Sequence, residues 1–182
     1  MRILYSQLLF IAVAMPSAVS AQSEAPAPSE ELYEDVGRGV GMTWSFQSQR
    51  GKPALEFGVK ETEHRLDRLW EFSCANFKNG TVSNTLFANP PELREGDQFG
   101  FSIRIDNGKS YGLIGRMDPI QIQGSNTNFP HFDIGRSHDL WKALRLGNRA
   151  FINLNGNKFS IHLEGSGTAI GKFLNVCKKN AG

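Results

Sequence analysis

Apolar and polar side chains alternate along much of the chain, which is the pattern of strands that bury one face. The clearest example is Gln98–Asp106, whose apolar residues are Phe99, Phe101, Ile103 and Ile105. The same period predicts further strands at Thr43–Gln47, Ala54–Val59, Leu69–Ala75, Thr81–Phe87, Lys109–Met117, Ile120–Ile122 and Phe129–Ile134. We therefore predict a sheet whose strands turn one face to a core and the other to solvent.

After these strands, the apolar residues recur at the spacing of a helix instead of at every second position. Leu140, Trp141 and Leu144 recur at helical spacing and would lie on one face. Ser137 precedes them as the predicted N-cap, because a serine hydroxyl can accept hydrogen bonds from first-turn amides. Gly147 follows them, where glycine commonly ends a helix in the left-handed conformation. A short helix is therefore predicted between Ser137 and Gly147.

A hairpin and a second helix complete the predicted domain. Apolar residues alternate on both sides of Asn155–Gly156, and this dipeptide favours the type I′ turn of a two-residue hairpin. Ser166 is the predicted cap of the last helix. Four residues of that helix share one apolar face, namely Ile170, Phe173, Leu174 and Cys177.

The count of roughly nine strands and two late helices predicts a mainly β fold. Asn-Gly occurs at three strand junctions and predicts tight turns between antiparallel neighbours at Asn79–Gly80, Asn107–Gly108 and Asn155–Gly156. The predicted fold class is an antiparallel β-sandwich or flattened barrel with two short helices in the C-terminal half. The last helix is expected to be disulfide-linked to a strand.

The N-terminal residues have the composition of an export signal followed by a linker. A positive charge at Arg2, an apolar run and small residues before Ala21 predict a signal peptide over residues 1–21. Residues 22–41 are rich in Pro, Ala, Ser and Glu, and we expect a flexible leader there. A single β-rich domain is then expected over residues 42–182, in a periplasmic or secreted protein without a membrane span.

The chain has two cysteines, Cys74 and Cys177, and both are predicted to face the core. In an oxidising compartment an even pair is normally a disulfide. The two positions are 103 apart, and closing a loop of that length would stabilise the fold by about 4–5 kcal/mol. A metal-thiolate pair or a redox centre is the alternative, although the chain has no Cys-x-x-Cys motif.

Positive charge is concentrated in the predicted domain. Residues 22–35 hold five acidic and no basic residues, so residues 36–182 carry 19 basic and 13 acidic residues, a net charge of +6. A candidate patch for an anionic partner lies around the first helix at Arg136, Lys142, Arg145 and Arg149. The expected partner is an envelope or host protein, an anionic glycan or a lipid headgroup, and nucleic acid is not expected for an exported chain. Ordinary solvation of a charged helix face is the simpler interpretation.

His131, Asp133 and His138 are the candidate metal ligands. His131 and Asp133 would share one strand face, and His138 could reach them from the first helical turn. Three protein ligands with one open position are typical of catalytic zinc sites. Solvent-facing strand residues are the alternative interpretation. The serine-hydrolase motif Gly-x-Ser-x-Gly is missing, so no catalytic residue and no cofactor are predicted.

Several segments of the C-terminal half follow a common pattern. They are a strand that ends in Ile105–Lys109, the helix Leu140–Gly147, and a hairpin that leads to Gly165–Ser166 and Ala169–Ile170. In this pattern the chain resembles the invasion-associated locus B family and related uncharacterised exported proteins of proteobacteria. The resemblance implies an exported, non-enzymatic role at the cell envelope, and it supplies no catalytic residues.

Three functions follow as expectations. The first is an exported, non-enzymatic β-domain that binds or modulates a cell-envelope or host component. The second is a secreted inhibitor of a lysozyme-type cell-wall hydrolase, with Gly124–Asn128 as the loop that would enter the hydrolase's cleft. The third is a small metal-dependent enzyme built on His131 and Asp133.

Overall fold

The computed structural model describes residues 33–49, 52–59, 67–88, 90, 92–122 and 124–180. Within these ranges the chain forms ten strands, a 3₁₀ turn at Phe77–Asn79, and the helices α1 (Leu140–Leu146) and α2 (Ser166–Asn180). The strands are β1 (Glu34–Asp35), β2 (Met42–Gln49), β3 (Lys52–Val59), β4 (Arg68–Ser73), β5 (Thr81–Leu86), β6 (Gln98–Ile105), β7 (Ser110–Ile122), β8 (Ser125–Gly135), β9 (Arg149–Leu154) and β10 (Asn157–His162).

All ten described strands belong to one sheet, in the order β1-β10-β9-β6-β7-β8-β5-β4-β3-β2. Every neighbouring pair is antiparallel except β1 and β10, which run parallel. The C-terminal hairpin β9–β10 lies beside β6, which separates it from β7 and β8, the strands that precede it in the sequence. The predicted mainly β fold, with antiparallel strands and two helices in the C-terminal half, is confirmed.

The sheet curls until strands from its opposite ends meet. The Trp44 Nε1–H of β2 donates a hydrogen bond to the His162 carbonyl of β10 at 3.0 Å. The His162 Nε2 lies 2.8 Å from the Met42 carbonyl oxygen, and its ring makes an edge contact with Phe57. Side chains rather than a strand ladder therefore join these two parts of the sheet, and the result is the barrel-like form of the prediction.

Aromatic side chains form the centre of the core. The rings of Trp70 and Phe72 stack with centroids 4.6 Å apart, and Phe72 also contacts Trp141 of α1. Helix α2 packs on β2, β3 and α1, and it buries the face that includes Ile170 and Phe173. Since burial of each large apolar side chain contributes about 1.5–3 kcal/mol, this cluster is the main source of stability.

A disulfide joins the last helix to the sheet. Cys74 follows β4 directly, Cys177 lies near the end of α2, and their Cα atoms are 5.4 Å apart. Cys177 is fully buried with the apolar face of its helix. The predicted pairing is confirmed, and the two thiols are therefore not a metal-thiolate pair.

The folded part of the chain starts earlier than residue 42. Within the predicted leader, β1 adds to the edge of the sheet and the Asp35 carboxylate pairs with Arg149. The Tyr33 ring makes an edge contact with Phe151, with centroids 5.2 Å apart. The alternation of apolar and polar residues does not predict a strand here, because β1 has only two residues and both are exposed and acidic. The predicted signal peptide, 1–21, lies outside the described residues.

The N-terminus of α1 differs from the prediction that Ser137 caps it. The N-cap residue is Asp139, and its side chain makes no capping hydrogen bond. The ring of His138 takes that role, since its Nδ1 accepts the Leu140 N–H at 3.1 Å. An imidazole nitrogen thus satisfies one of the amides that every helix leaves free in its first turn.

The C-terminus of α1 also corrects two predictions. Gly147 has a φ of −80° and an extended conformation, so it does not end the helix in a left-handed residue. Glycine is needed there for space, because a Cβ would lie 2.3 Å from Ile105 Cγ2. Ser166, predicted to cap α2, instead donates its hydroxyl to the Leu144 carbonyl at 2.6 Å. It therefore satisfies a free carbonyl at the end of α1.

One of the three Asn-Gly dipeptides forms the predicted two-residue turn. Asn155 and Gly156 have φ values of +49° and +87° between β9 and β10, as a type I′ turn requires. Asn107–Gly108 lies in a longer loop, where the left-handed residue is Asp106 with a φ of +47°. Asn79–Gly80 ends the 3₁₀ turn instead of joining two strands directly.

Candidate binding surface

A two-stranded ribbon extends beyond the rest of the sheet. β7 pairs with β6 over Ser110–Arg116, and β8 pairs with β5 over His131–Gly135. From Asp118 to Ile122 and from Ser125 to Phe129, the two strands pair only with each other among the described residues. These two segments, 118–122 and 125–129, are called the ribbon below.

The base of the ribbon is held by contacts with the connection between β5 and β6. The Met117 N–H donates to the Asp97 carbonyl at 3.0 Å, and the Gly96 N–H donates to the Met117 carbonyl at 2.9 Å. The Phe129 ring packs against Phe87 with centroids 5.1 Å apart. These contacts fix the direction in which the ribbon leaves the sheet.

A charge pair marks the start of the ribbon. Arg116 Nε and Nη2 donate to the two carboxylate oxygens of Asp118 at 2.7 and 3.0 Å. The side-chain hydrogen bond with Asp118, followed by its negative charge, raises the pKa of Arg116 above its usual value. The pair is exposed, so it orders two side chains on the surface and adds little to stability.

Apart from Asp118, the exposed side chains of the ribbon are neutral. Gln121 and Asn126 lie opposite each other on the two strands, and Pro119 is exposed on the same side. Ile120 points to the other side and is half-buried. The predicted loop Gly124–Asn128 is therefore mostly strand, and the ribbon presents amide groups that can donate and accept hydrogen bonds.

A shallow, open groove of about 550 Å³ lies on the outer face of β6, β7 and β9. Gly100 and Gly112 leave its floor without side chains, and a Cβ at either position would contact nothing within 4 Å. Ser102 and Asn153 are register partners that add polar groups, and Ile114 is 76% exposed. A flat group can approach the backbone closely on such a surface.

Arg104 is two residues beyond Ser102 on the same face of β6. Its guanidinium stacks over the Phe151 ring, with Cζ 4.2 Å from the ring centroid. The Nη1 group donates to the Asp106 carbonyl. The Nε and Nη2 atoms are shielded from solvent and have no hydrogen-bond partner among the described residues. Unpaired buried N–H groups are costly, so these two need a physical explanation.

A second shielded arginine, Arg68, has the partners that Arg104 lacks. Its Nη1 lies 2.9 Å from a Glu56 carboxylate oxygen and 3.0 Å from one of Glu71. The Arg68 side chain is 12% exposed and that of Glu56 is 7% exposed. Arg68 is thus paired with two carboxylates, and the cluster is structural, because removal of Arg68 would take the cation away from the shielded Glu56 carboxylate.

The predicted basic patch is divided. Arg136, Lys142 and Arg145 are exposed, whereas Arg149 is partly covered and pairs with Asp35. Its charge is therefore balanced by β1 and is not available to an external anion. The described residues contain no helix that is both long enough and apolar enough to cross a bilayer.

Two of the three candidate metal ligands, Asp133 and His138, form hydrogen bonds with other groups of the protein. Asp133 accepts a hydrogen bond from Ser83 Oγ at 2.7 Å and lies 3.3 Å from Asn76 Nδ2. His138 uses its Nδ1 for the Leu140 amide. Within the described part of the chain, no group of three or more His, Cys, Asp or Glu side chains is arranged to hold a metal ion.

No family model matches this chain, and no curated protein or solved structure is significantly similar to it. The resemblance to the invasion-associated locus B family therefore stays a prediction. The functional proposal below depends on the geometry of the ribbon.

Proposed function

We propose that this protein is an exported, non-enzymatic domain that binds a cell-envelope or host protein through the ribbon. The observation that carries the proposal is that, within the described part of the chain, residues 118–122 and 125–129 pair only with each other. A strand pair whose outer edges have no neighbour offers backbone N–H and C=O groups to a partner. Its exposed amides at Gln121 and Asn126 add directional hydrogen bonds.

Two further features support this proposal. The disulfide between Cys74 and Cys177 is compatible with an oxidising compartment. The contacts of Met117 and Phe129 at the base of the ribbon hold it in one orientation before binding. Preorganisation of this kind lowers the entropic cost of association.

Site-specific crosslinking tests the ribbon as the contact surface. A photoreactive phenylalanine analogue at Gln121 is expected to crosslink a defined partner in intact cells of the producing organism. Excess unlabelled protein should abolish that crosslink, since both compete for one site. The readout is mass spectrometry of the crosslinked species.

The matched control places the same analogue at Asn175, which is exposed on α2 and distant in sequence from the ribbon. A crosslink that requires the ribbon should be missing from this control. If Gln121 and Asn175 capture the same proteins with equal yield, the ribbon is not a specific contact surface and the proposal fails.

An inhibitor of a lysozyme-type hydrolase is the second candidate function. The ribbon favours it, because a narrow two-stranded projection can enter an enzyme's cleft. In this case the purified protein should inhibit lysozyme stoichiometrically. The double substitution of Gln121→Arg and Asn126→Arg should weaken inhibition by at least about tenfold through desolvated charge at the contact. Full lysozyme activity at a large excess of the protein would remove this candidate and leave the first one standing.

A further inference from the structure

We infer that the partner of the ribbon contributes an extended segment, which adds as a further strand beside β8 at Asn126 and Asn128. The inferred contact rests on the proposed function of the ribbon and specifies which of its two edges binds. A sheet edge binds an extended segment through backbone N–H and C=O groups. The backbone groups of the ribbon that point outward therefore decide where a partner strand can add.

The direction of each backbone group follows from the ladder. In an antiparallel sheet the N–H and C=O groups of successive residues point alternately to the two sides of the strand. The N–H and C=O of Met117 bond to Asp97 and Gly96, which lead into β6. The backbone groups of Pro119 and Gln121 therefore point to that same side, away from β8.

The outer edge of β7 offers few groups to a partner strand. Pro119 lies at an outward position and has no N–H, and prolines at such positions are one of the devices that keep edge strands from pairing. Among residues 118–122 of β7, Gln121 is the one with both its N–H and its C=O directed outward. A strand added at this edge could form only one complete pair of hydrogen bonds.

The outer edge of β8 is open over a longer stretch. The residues of β7 that face β8 are even-numbered and lie opposite odd-numbered residues of β8, so the backbone groups of Asn126 and Asn128 point outward. Pairing of β8 with β5 ends at His131, and the next outward residue, Pro130, has no N–H. Within the described part of the chain, the outward groups of Asn126 and Asn128 have no hydrogen-bond partner. They present two donors and two acceptors in a row.

The side chains at this edge indicate what the partner segment contains. Asn126, Thr127 and Asn128 are uncharged, whereas edges that avoid pairing commonly carry charge. The two asparagine side chains lie on the same side as Gln121, and Thr127 lies on the other side, because successive residues of a strand alternate. The matching occupant is an extended segment of the partner protein, with polar residues beside the asparagines and a β-branched residue beside Thr127.

Hydrogen exchange of single backbone amides tests this contact, with the protein captured by crosslinking through Gln121 as the partner. The ¹⁵N-labelled protein is exchanged alone and with saturating partner, and NMR follows the N–H groups of Asn126, Asn128 and Gln121. We expect exchange at Asn126 and Asn128 to slow by at least about tenfold, because a hydrogen-bonded amide exchanges only when its bond opens. The Gln121 amide gains no hydrogen bond and should slow far less.

Two substitutions at one position separate the backbone from the side chain. Asn128→Pro and Asn128→Ala both remove the asparagine amide group, but only the proline also removes the outward N–H. The partner should bind Asn128→Pro at least about fivefold more weakly than Asn128→Ala, since a hydrogen bond is lost and the ring obstructs the edge. Neither substitution removes a hydrogen bond between β7 and β8, because the N–H of Asn128 points outward.

The assignment of the contact to β8 is wrong if the partner protects Gln121 and not Asn126 and Asn128, or if it protects none of the three. It is also wrong if Asn126 and Asn128 become protected at high protein concentration without the partner, because a second copy would then occupy the edge. In each case the proposed function stands as long as the crosslink through Gln121 is specific, whereas failure to capture any partner overturns both. If Asn128→Pro does not fold, the exchange experiment on the unsubstituted protein decides the question alone.

Discussion

At Gly147 the chain needs glycine because a neighbouring strand leaves no room for a side chain. The sequence also predicted a need for glycine at this position, but as a left-handed residue that ends the helix. The observed φ of −80° suits any residue, and the constraint is the Ile105 methyl group at 2.3 Å from a Cβ position. A contact between residues so far apart in the chain leaves no signal in the local pattern.

The substitution Gly147→Ala should therefore destabilise the protein. Because the added methyl would overlap Ile105, we expect the free energy of unfolding to fall by about 1–3 kcal/mol, the usual cost of overpacking. Chemical denaturation followed by tryptophan fluorescence measures the change.

The control for this prediction is Gly135→Ala in β8. Gly135 does not have a positive φ, and a Cβ there would contact nothing within 4 Å. Its free energy of unfolding should stay within about 0.5 kcal/mol of the original. Equal stability of the Gly147 and Gly135 variants would refute the steric explanation.

The roles of some single residues can be predicted from the sequence, and those of others cannot. Cys74 and Cys177 could be paired in advance, because each lies in phase with an apolar face and no other cysteine competes. Arg104 could not be singled out, since an arginine at a polar strand position normally faces solvent. Its shielding involves Phe151, which reaches it only through the pairing of β6 with β9.

Among the elements, strands with one buried face were predicted well and the ribbon was not. Alternation follows directly from burial of one face, so β2 to β6 were located within a few residues. The two strands predicted at Lys109–Met117 and Ile120–Ile122 are one continuous strand, β7, which passes through Pro119. Among the described strands, that part of β7 has only β8 beside it, so a residue without an N–H is tolerated there and the strand continues.

The ends of the helices depend on contacts between elements. The Ser166 hydroxyl of α2 donates to the Leu144 carbonyl of α1. At the start of α1, the ring of His138 accepts the Leu140 N–H. Capping rules consider only neighbours along the chain, so they could not predict that the Ser166 hydroxyl donates to α1. At the start of α1 the group that accepts the amide is also a sequence neighbour, but it is the His138 ring and not the Ser137 hydroxyl. The helices themselves were predictable because their apolar spacing reflects packing on the sheet.

For the molecule as a whole, the Cys74–Cys177 disulfide is the strongest single constraint. The double variant Cys74→Ala and Cys177→Ala should lose about 4–5 kcal/mol of unfolding free energy, because the reduced chain regains the entropy of an open loop. Small domains are stable by only about 5–15 kcal/mol, so the loss should be a large part of the total. Urea denaturation of the oxidised protein and the variant measures it.

The unsubstituted protein in excess reductant is the control for this comparison. Its unfolding midpoint should move towards that of the double variant, since both lack the crosslink. An unchanged midpoint in the double variant would mean that α2 is held by its apolar face alone, through Ile170 and Phe173.

The position of β1 beside β10 has a consequence for a chain that is delivered from its N-terminus. β1 can pair only after β10 has been delivered, and β2 and β3 are covered later still, when α2 has followed β10. A chain cut short before residue 157 would leave this early segment without its native neighbours. A truncation near the C-terminus should therefore prevent folding as effectively as one near the N-terminus.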